Sequence, residues 1–136
     1  MIELRWLGRV PYGRVLSEQR ERRDRIIAGE ADECIWLLEH PPVLTVGRRS
    51  VDDLPEPRLL AEHGLEVFTT ERGGLATYHG PGQLVGYLLI DIASRSIKVR
   101  ELVRAIESGV IAWLAENGVA ASRRQGFPGV WVGRSK

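Results

Sequence analysis

Five glycines, at positions 73, 74, 80, 82 and 86, crowd around one short segment of this 136-residue chain. In the run Arg72–Gln83, RGGLATYHGPGQ, Gly73-Gly74 can take positive φ and admit a ligand to the backbone without an intervening Cβ. Leu75 to Tyr78 is short, alternating and β-prone, and Gly80-Pro81-Gly82 is a turn that fixes the exit direction. The glycines bracket one strand tightly, and ordinary hairpins rarely need so many. Arg72 can reach a carboxylate, phosphate or amide oxygen. Tyr78 and His79 carry polar tips on partly apolar bodies, and Gln83 can donate and accept. On the residues alone two readings stand: a strand pair with two glycine turns and a packed tyrosine, or a loop that cradles a ligand.

The flanking sequence is punctuated in the same way. Ile2–Leu7 alternates as a strand, and Arg14 to about Ala28 reads as a charged helix stopped by Gly29. Cys34–Leu38 is a buried apolar strand, broken by Glu39-His40-Pro41-Pro42 before a second strand at Val43–Val46. Ser50 to Pro57 is a polar, proline-rich loop; Arg58–His63 offers a turn or two of helix; Leu65–Thr70 is a strand. Leu84–Ile92 is the strongest apolar strand. Val99, Leu102, Val103, Ile106, Val110, Trp113 and Leu114 recur at helical spacing, with Ser96 as a cap and Gly118 past the end. Val119–Ala121 and Gly129–Gly133 supply two last strands. The order β-α-β-β-(α)-β-β-β-α-β-β predicts an α+β domain, with hairpins in a mixed, largely antiparallel sheet and helices packed on one side.

Length and composition bound the possibilities. The chain is long enough for one domain, residues 1–136, around one core. Apolar residues at 43% and charged residues at 27% are those of a soluble globular protein, and a net charge of +1 gives no drive towards nucleic acid or membrane. Charge is uneven locally: Arg123, Arg124, Arg134 and Lys136 lie in a stretch without an acid, a feature suited to an acidic partner. The single cysteine, Cys34, allows no intrachain disulfide, and no Cys/His cluster has zinc spacing, so no metal is expected. The start, MIELRWLGRVPYG, is too interrupted for a signal peptide and no apolar run approaches membrane-spanning length; a cytoplasmic protein is expected.

RGGLATYHGPGQLVGY resembles the signature of the octanoyltransferases of lipoate biosynthesis. LGRVPYGRVLSEQ, LLEHPPVLTVGR at Leu37–Arg48, the helix Val99–Glu116 and PGVWVGRSK at Pro128–Lys136 fall in the order that family shows. The resemblance implies a biotin/lipoate A/B protein ligase-like fold. It implies transfer of an octanoyl group from octanoyl-acyl carrier protein to a lysine of lipoyl domains, those of 2-oxoacid dehydrogenases and the glycine cleavage H protein, with no cofactor. A cysteine thiolate would carry the acyl group as a thioester, activated by a lysine that follows GVWVG, here Lys136. Arg72, Gly73, Gly74, Leu75, Ala76, Thr77, Tyr78 and His79 would form the substrate-binding wall. The nucleophilic cysteine lies later in the family than Lys136, so residues 1–136 are expected to be a partial catalytic domain, incomplete at the C-terminus, with an oligomer or a second chain covering the gap. A non-catalytic module binding acyl groups or lipoyl domains is one alternative. An ATP-dependent lipoate or biotin ligase is another, although HGPGQ resembles the transferase branch more closely.

Single residues carry blander readings. Cys34 is expected to be a small core residue rather than a nucleophile. His79 is read as a pocket-wall or hydrogen-bonding group rather than a general base, His40 as closing a strand end, and His63 as surface. Arg48-Arg49 fits an acidic carrier protein or simple solvation equally. Trp131 is read as core, and Lys136 as an exposed amine on a fraying end.

Overall fold

The computed structural model describes residues 2–47, 57–71 and 76–136. Its elements are β1 (Glu3–Arg9), α1 (Tyr12–Ile27), β2 (Cys34–Glu39), β3 (Val43–Gly47), α2 (Pro57–Glu62), β4 (Glu66–Thr70), β5 (Thr77–His79), β6 (Val85–Leu89), α3 (Val99–Glu116), β7 (Ser122–Arg124) and β8 (Phe127–Trp131). This is the α+β order read from the sequence. The chain forms two compact units, Met1–Asp91 and Ile92–Lys136.

The first unit holds two three-stranded sheets, ordered β1-β2-β6 and β4-β3-β5. β1 runs parallel to β2 and β3 to β4, while β6 and β5 add antiparallel to β2 and β3. Hairpins are therefore scarcer than expected, because β2 and β3, four residues apart, belong to different sheets. Pro41-Pro42 removes two ladder donors and restricts His40 before it, so the chain leaves the first sheet there.

Burial alternates along β2: Cys34, Trp36 and Leu38 are buried and pack with Val15 of α1, while Leu7, Val10, Val85, Tyr87 and Leu89 close around them. Leu38 and Val15 are fully buried, each worth about 1.5–3 kcal/mol of transfer free energy. α1 starts at Tyr12, earlier than the charge pattern suggested, because Pro11 at φ −55° is preset for the helix entry and its carbonyl accepts the Val15 N–H. It stops at Gly29, φ +73°, as read.

In the second unit, the Glu101 carboxylate rather than Ser96 starts α3, by accepting the Lys98 N–H at 2.8 Å. Ser96 instead sits in the preceding turn at φ +54°. β7 begins three residues later than Val119, since the Val119 N–H is spent on Leu114 O in closing the helix. The Gln125-Gly126 turn, with Gly126 at φ +81°, then sets the β7–β8 hairpin, whose second strand ends at Trp131 rather than Gly133. Among the described residues no helix is long and apolar enough to cross a membrane.

Candidate functional site

β5 pairs with the central strand β3, placing Tyr78 opposite Leu44 and His79 opposite Val43. Just beyond it, Gly80-Pro81-Gly82-Gln83 closes a β-turn through Gln83 N–H to Gly80 O at 3.1 Å. Gly82, at φ +84°, takes the turn position that excludes a Cβ. At Gly80 a Cβ would fall where the Tyr78 phenol lies, so a larger residue would have to displace that exposed ring. His79 Nδ1 donates to Gln83 Oε1 at 2.6 Å, tying the strand end to the turn exit. Ala76, Thr77 and His79 are half-buried and Tyr78 is exposed. Arg72, Gly73, Gly74 and Leu75 of the expected wall, and Arg48-Arg49, lie outside the described residues.

Two residues that the sequence reading left as a strand break hold this turn and the space behind it. Glu39 Oε2 accepts the Gly82 N–H at 3.1 Å and an Arg9 guanidinium N–H at 3.2 Å. These two donors, the Gly82 amide first, hold the Glu39 carboxyl below the usual glutamate range. His40 does not merely close a strand end: it is fully buried. Its Nδ1 donates to Val10 O at 2.7 Å, which fixes the tautomer, so Nε2 accepts the Tyr87 O–H at 2.8 Å. Burial holds the imidazole below its ordinary value, with the neighbouring His79 acting in the same direction. Burial likewise pushes the Tyr87 phenol up to about 12, so it remains a donor. Tyr12, 5.3 Å from His40 and 5.0 Å from Phe68, His79 at 6.0 Å and Tyr87 at 5.9 Å complete a ring cluster that joins both sheets. The signal available in the sequence was a histidine between an apolar strand and two prolines, with a tyrosine at an inward position of the LVGYLLIDI run.

Lys136 belongs to the second unit. Val132 and Ser135 exchange backbone hydrogen bonds of 2.8 and 3.0 Å across a tight turn with Gly133 at φ +58°. That turn lays the Lys136 side chain over Gly129, whose Cβ would collide with it; Gly129 also stands at φ +121°. Lys136 is exposed, with its side chain lying over Gly129. Glu107 of α3, buried, accepts the Gly129 N–H at 2.7 Å and the Arg123 Nε–H at 2.8 Å. The Gly129 amide first, and then Arg123, hold its carboxyl below the usual range. Trp131 is not core: it is half-exposed, with the Arg124 guanidinium 4.5 Å over its ring. Cys34 is buried in β2, and burial pushes its thiol up, away from the thiolate.

The element order and sheet pairing are those of a mixed-sheet α+β fold. The lipoyl protein ligase A/B catalytic domain model matches residues 12–136, and the chain belongs to that family. It is 48% identical over 130 residues to an octanoyltransferase of Dechloromonas aromatica, a match that covers 96% of this chain and 61% of the relative. To an octanoyltransferase of Paraburkholderia phytofirmans it is 44% identical over 131 residues, covering 96% and 53%. Among solved structures, a bi-partite lipoate protein ligase from Thermoplasma acidophilum superposes with a TM-score of 0.65 at 18% identity, covering 97% of this chain and 51% of that one. The chain thus spans about half to three fifths of the length of these relatives.

Proposed function

We propose that this chain contributes the acyl-binding part of an octanoyltransferase of lipoate biosynthesis. The observation that carries the reading is identity of 48% and 44%, over nearly the whole chain, to relatives named octanoyltransferase. The likeness to lipoate ligases is one of fold alone, so the ATP-dependent alternative has less support. In the reaction, a cysteine thiolate attacks the thioester carbonyl of octanoyl-acyl carrier protein. A new C–S bond forms and the carrier thiolate leaves. The amine of a lipoyl-domain lysine then attacks the acyl-cysteine, forming the amide, releasing the thiolate and giving up a proton. By the family resemblance, Arg72–His79 would contribute to octanoyl binding and Lys136 would favour the thiolate electrostatically. The partners are octanoyl-acyl carrier protein and lipoyl domains, met in the cytoplasm.

The burial of Cys34, which pushes its thiol up, supports reading it as a core residue rather than as that nucleophile. A test follows octanoyl transfer from the carrier protein to a lipoyl domain, with trapping of any acyl-enzyme thioester. The chain is expected to bind an octanoyl group without forming a thioester on Cys34, and Cys34→Ser is expected to change nothing. Turnover by residues 1–136 that Cys34→Ser abolishes would overturn the assignment. Formation of an octanoyl adenylate from ATP would replace the transferase reading with the ligase one.

A further inference from the structure

The Glu39 contact has features of a built device rather than a chance surface pair. Glu39 ends β2, and the parallel register sets Arg9 of β1 beside it. That register is irregular between Trp6 and Arg9, where Gly8 sits at φ +73° with nothing within 4 Å of a would-be Cβ. Gly8 is therefore required by backbone conformation, not by crowding, and the irregularity it allows brings Arg9 opposite Glu39. Arg9 and Gly82 meet on the same oxygen, Glu39 Oε2. The Glu39 side chain is only a quarter exposed. Gly82 takes no part in a strand ladder, so its N–H bond to Glu39 ties the turn to the end of the central strand of the other sheet, 43 residues away in the chain. His79 is bonded to Gln83 of the same turn, which ties the turn to the end of β5.

We propose that Glu39 is a positioning residue: aligned by Arg9, its carboxylate pins the Gly82 amide and thereby fixes Thr77–His79 where an acyl chain must pass. The acyl part of this proposal rests on the octanoyltransferase reading; the anchor itself does not. Residue-resolved amide exchange and calorimetric binding of S-octanoyl pantetheine test both, on the wild-type chain, Glu39→Ala, Glu39→Gln and Arg9→Ala. Loss of a charge-assisted bond in Glu39→Ala should speed Gly82 exchange roughly tenfold. Exchange at Trp36 and Leu37, within β2, should stay as in wild type. Octanoyl affinity should fall roughly five- to tenfold in Glu39→Ala and recover to within about threefold in Glu39→Gln, whose amide oxygen still accepts the N–H. Arg9→Ala should fall between the two. Unchanged Gly82 exchange in Glu39→Ala would overturn the anchor. Faster exchange with unchanged octanoyl affinity would overturn the positioning role and leave Glu39 structural. If the wild-type chain binds no octanoyl group, the transferase reading and the acyl part of this proposal fall together, and Gly82 exchange still decides the anchor.

Discussion

The two compact units are held together by different physics. In Met1–Asp91, apolar side chains are buried first: Val15, Cys34, Trp36 and Leu38 form one cluster, with Val43 and Val46 buried nearby. Of the two polar residues buried among the described residues of this unit, His40 and Thr45, His40 is neutral and doubly hydrogen-bonded. In Ile92–Lys136, Glu107 is the only buried residue, and the helix and hairpin meet on its carboxylate. The apolar stripe of α3 remains largely open, with Val99 63% and Trp113 62% exposed. A carboxylate can fix the register of a helix against a hairpin, because its acceptors demand particular donors. It does not supply the burial that makes unfolding costly. The glycine turn is borne by the apolar unit, and Lys136 by the polar one.

The sharpest way to break this contrast is truncation of the first core. Leu38→Ala should cost about 2–5 kcal/mol in urea unfolding followed by circular dichroism. The matching Val103→Ala on α3 should stay within about 0.5 kcal/mol. Equal costs would mean that the second unit has a core after all. Next in size is Gly129→Ala, which places a Cβ at φ +121° and against the Lys136 side chain; strain of about 1–3 kcal/mol is expected. Amide exchange in β7 and β8 should accelerate while β2 is unaffected.

A smaller effect is the pH response of the first unit. His40 titrates below its ordinary value of 6.5 when folded, so the unfolded chain binds its proton first. Its contribution is fully present above 6.5 and is lost as pH falls below that towards the folded value. Urea midpoints in neutral and mildly acidic buffers should show that slope, and His40→Gln should flatten it. An unchanged slope would remove His40 as its source. The least effect belongs to Arg14–Glu18, an exposed pair one helical turn apart. Glu18→Gln should leave the urea midpoint indistinguishable from wild type, and a clear shift would show that surface charge contributes to the first unit.

Much of this was legible in the chain itself. Element order, the α+β class, the stop of α1 at Gly29 and the burial of Cys34 follow from local rules: period, punctuation and residue size. Resemblance named the family, and a family model matching residues 12–136 agrees. Only tertiary structure decided the pairing, because Pro41-Pro42 breaks a strand without saying which sheet the next one joins. The roles of Glu39 and His40 needed it too. One ends a strand and the other precedes two prolines, and in sequence both look like punctuation. Their partners, Gly82 and Tyr87, lie 43 and 47 residues away. The glycine-rich block reads as a turn in sequence because φ is a local property. What pins that turn is a long-range hydrogen bond, and such bonds exist only once the chain has folded.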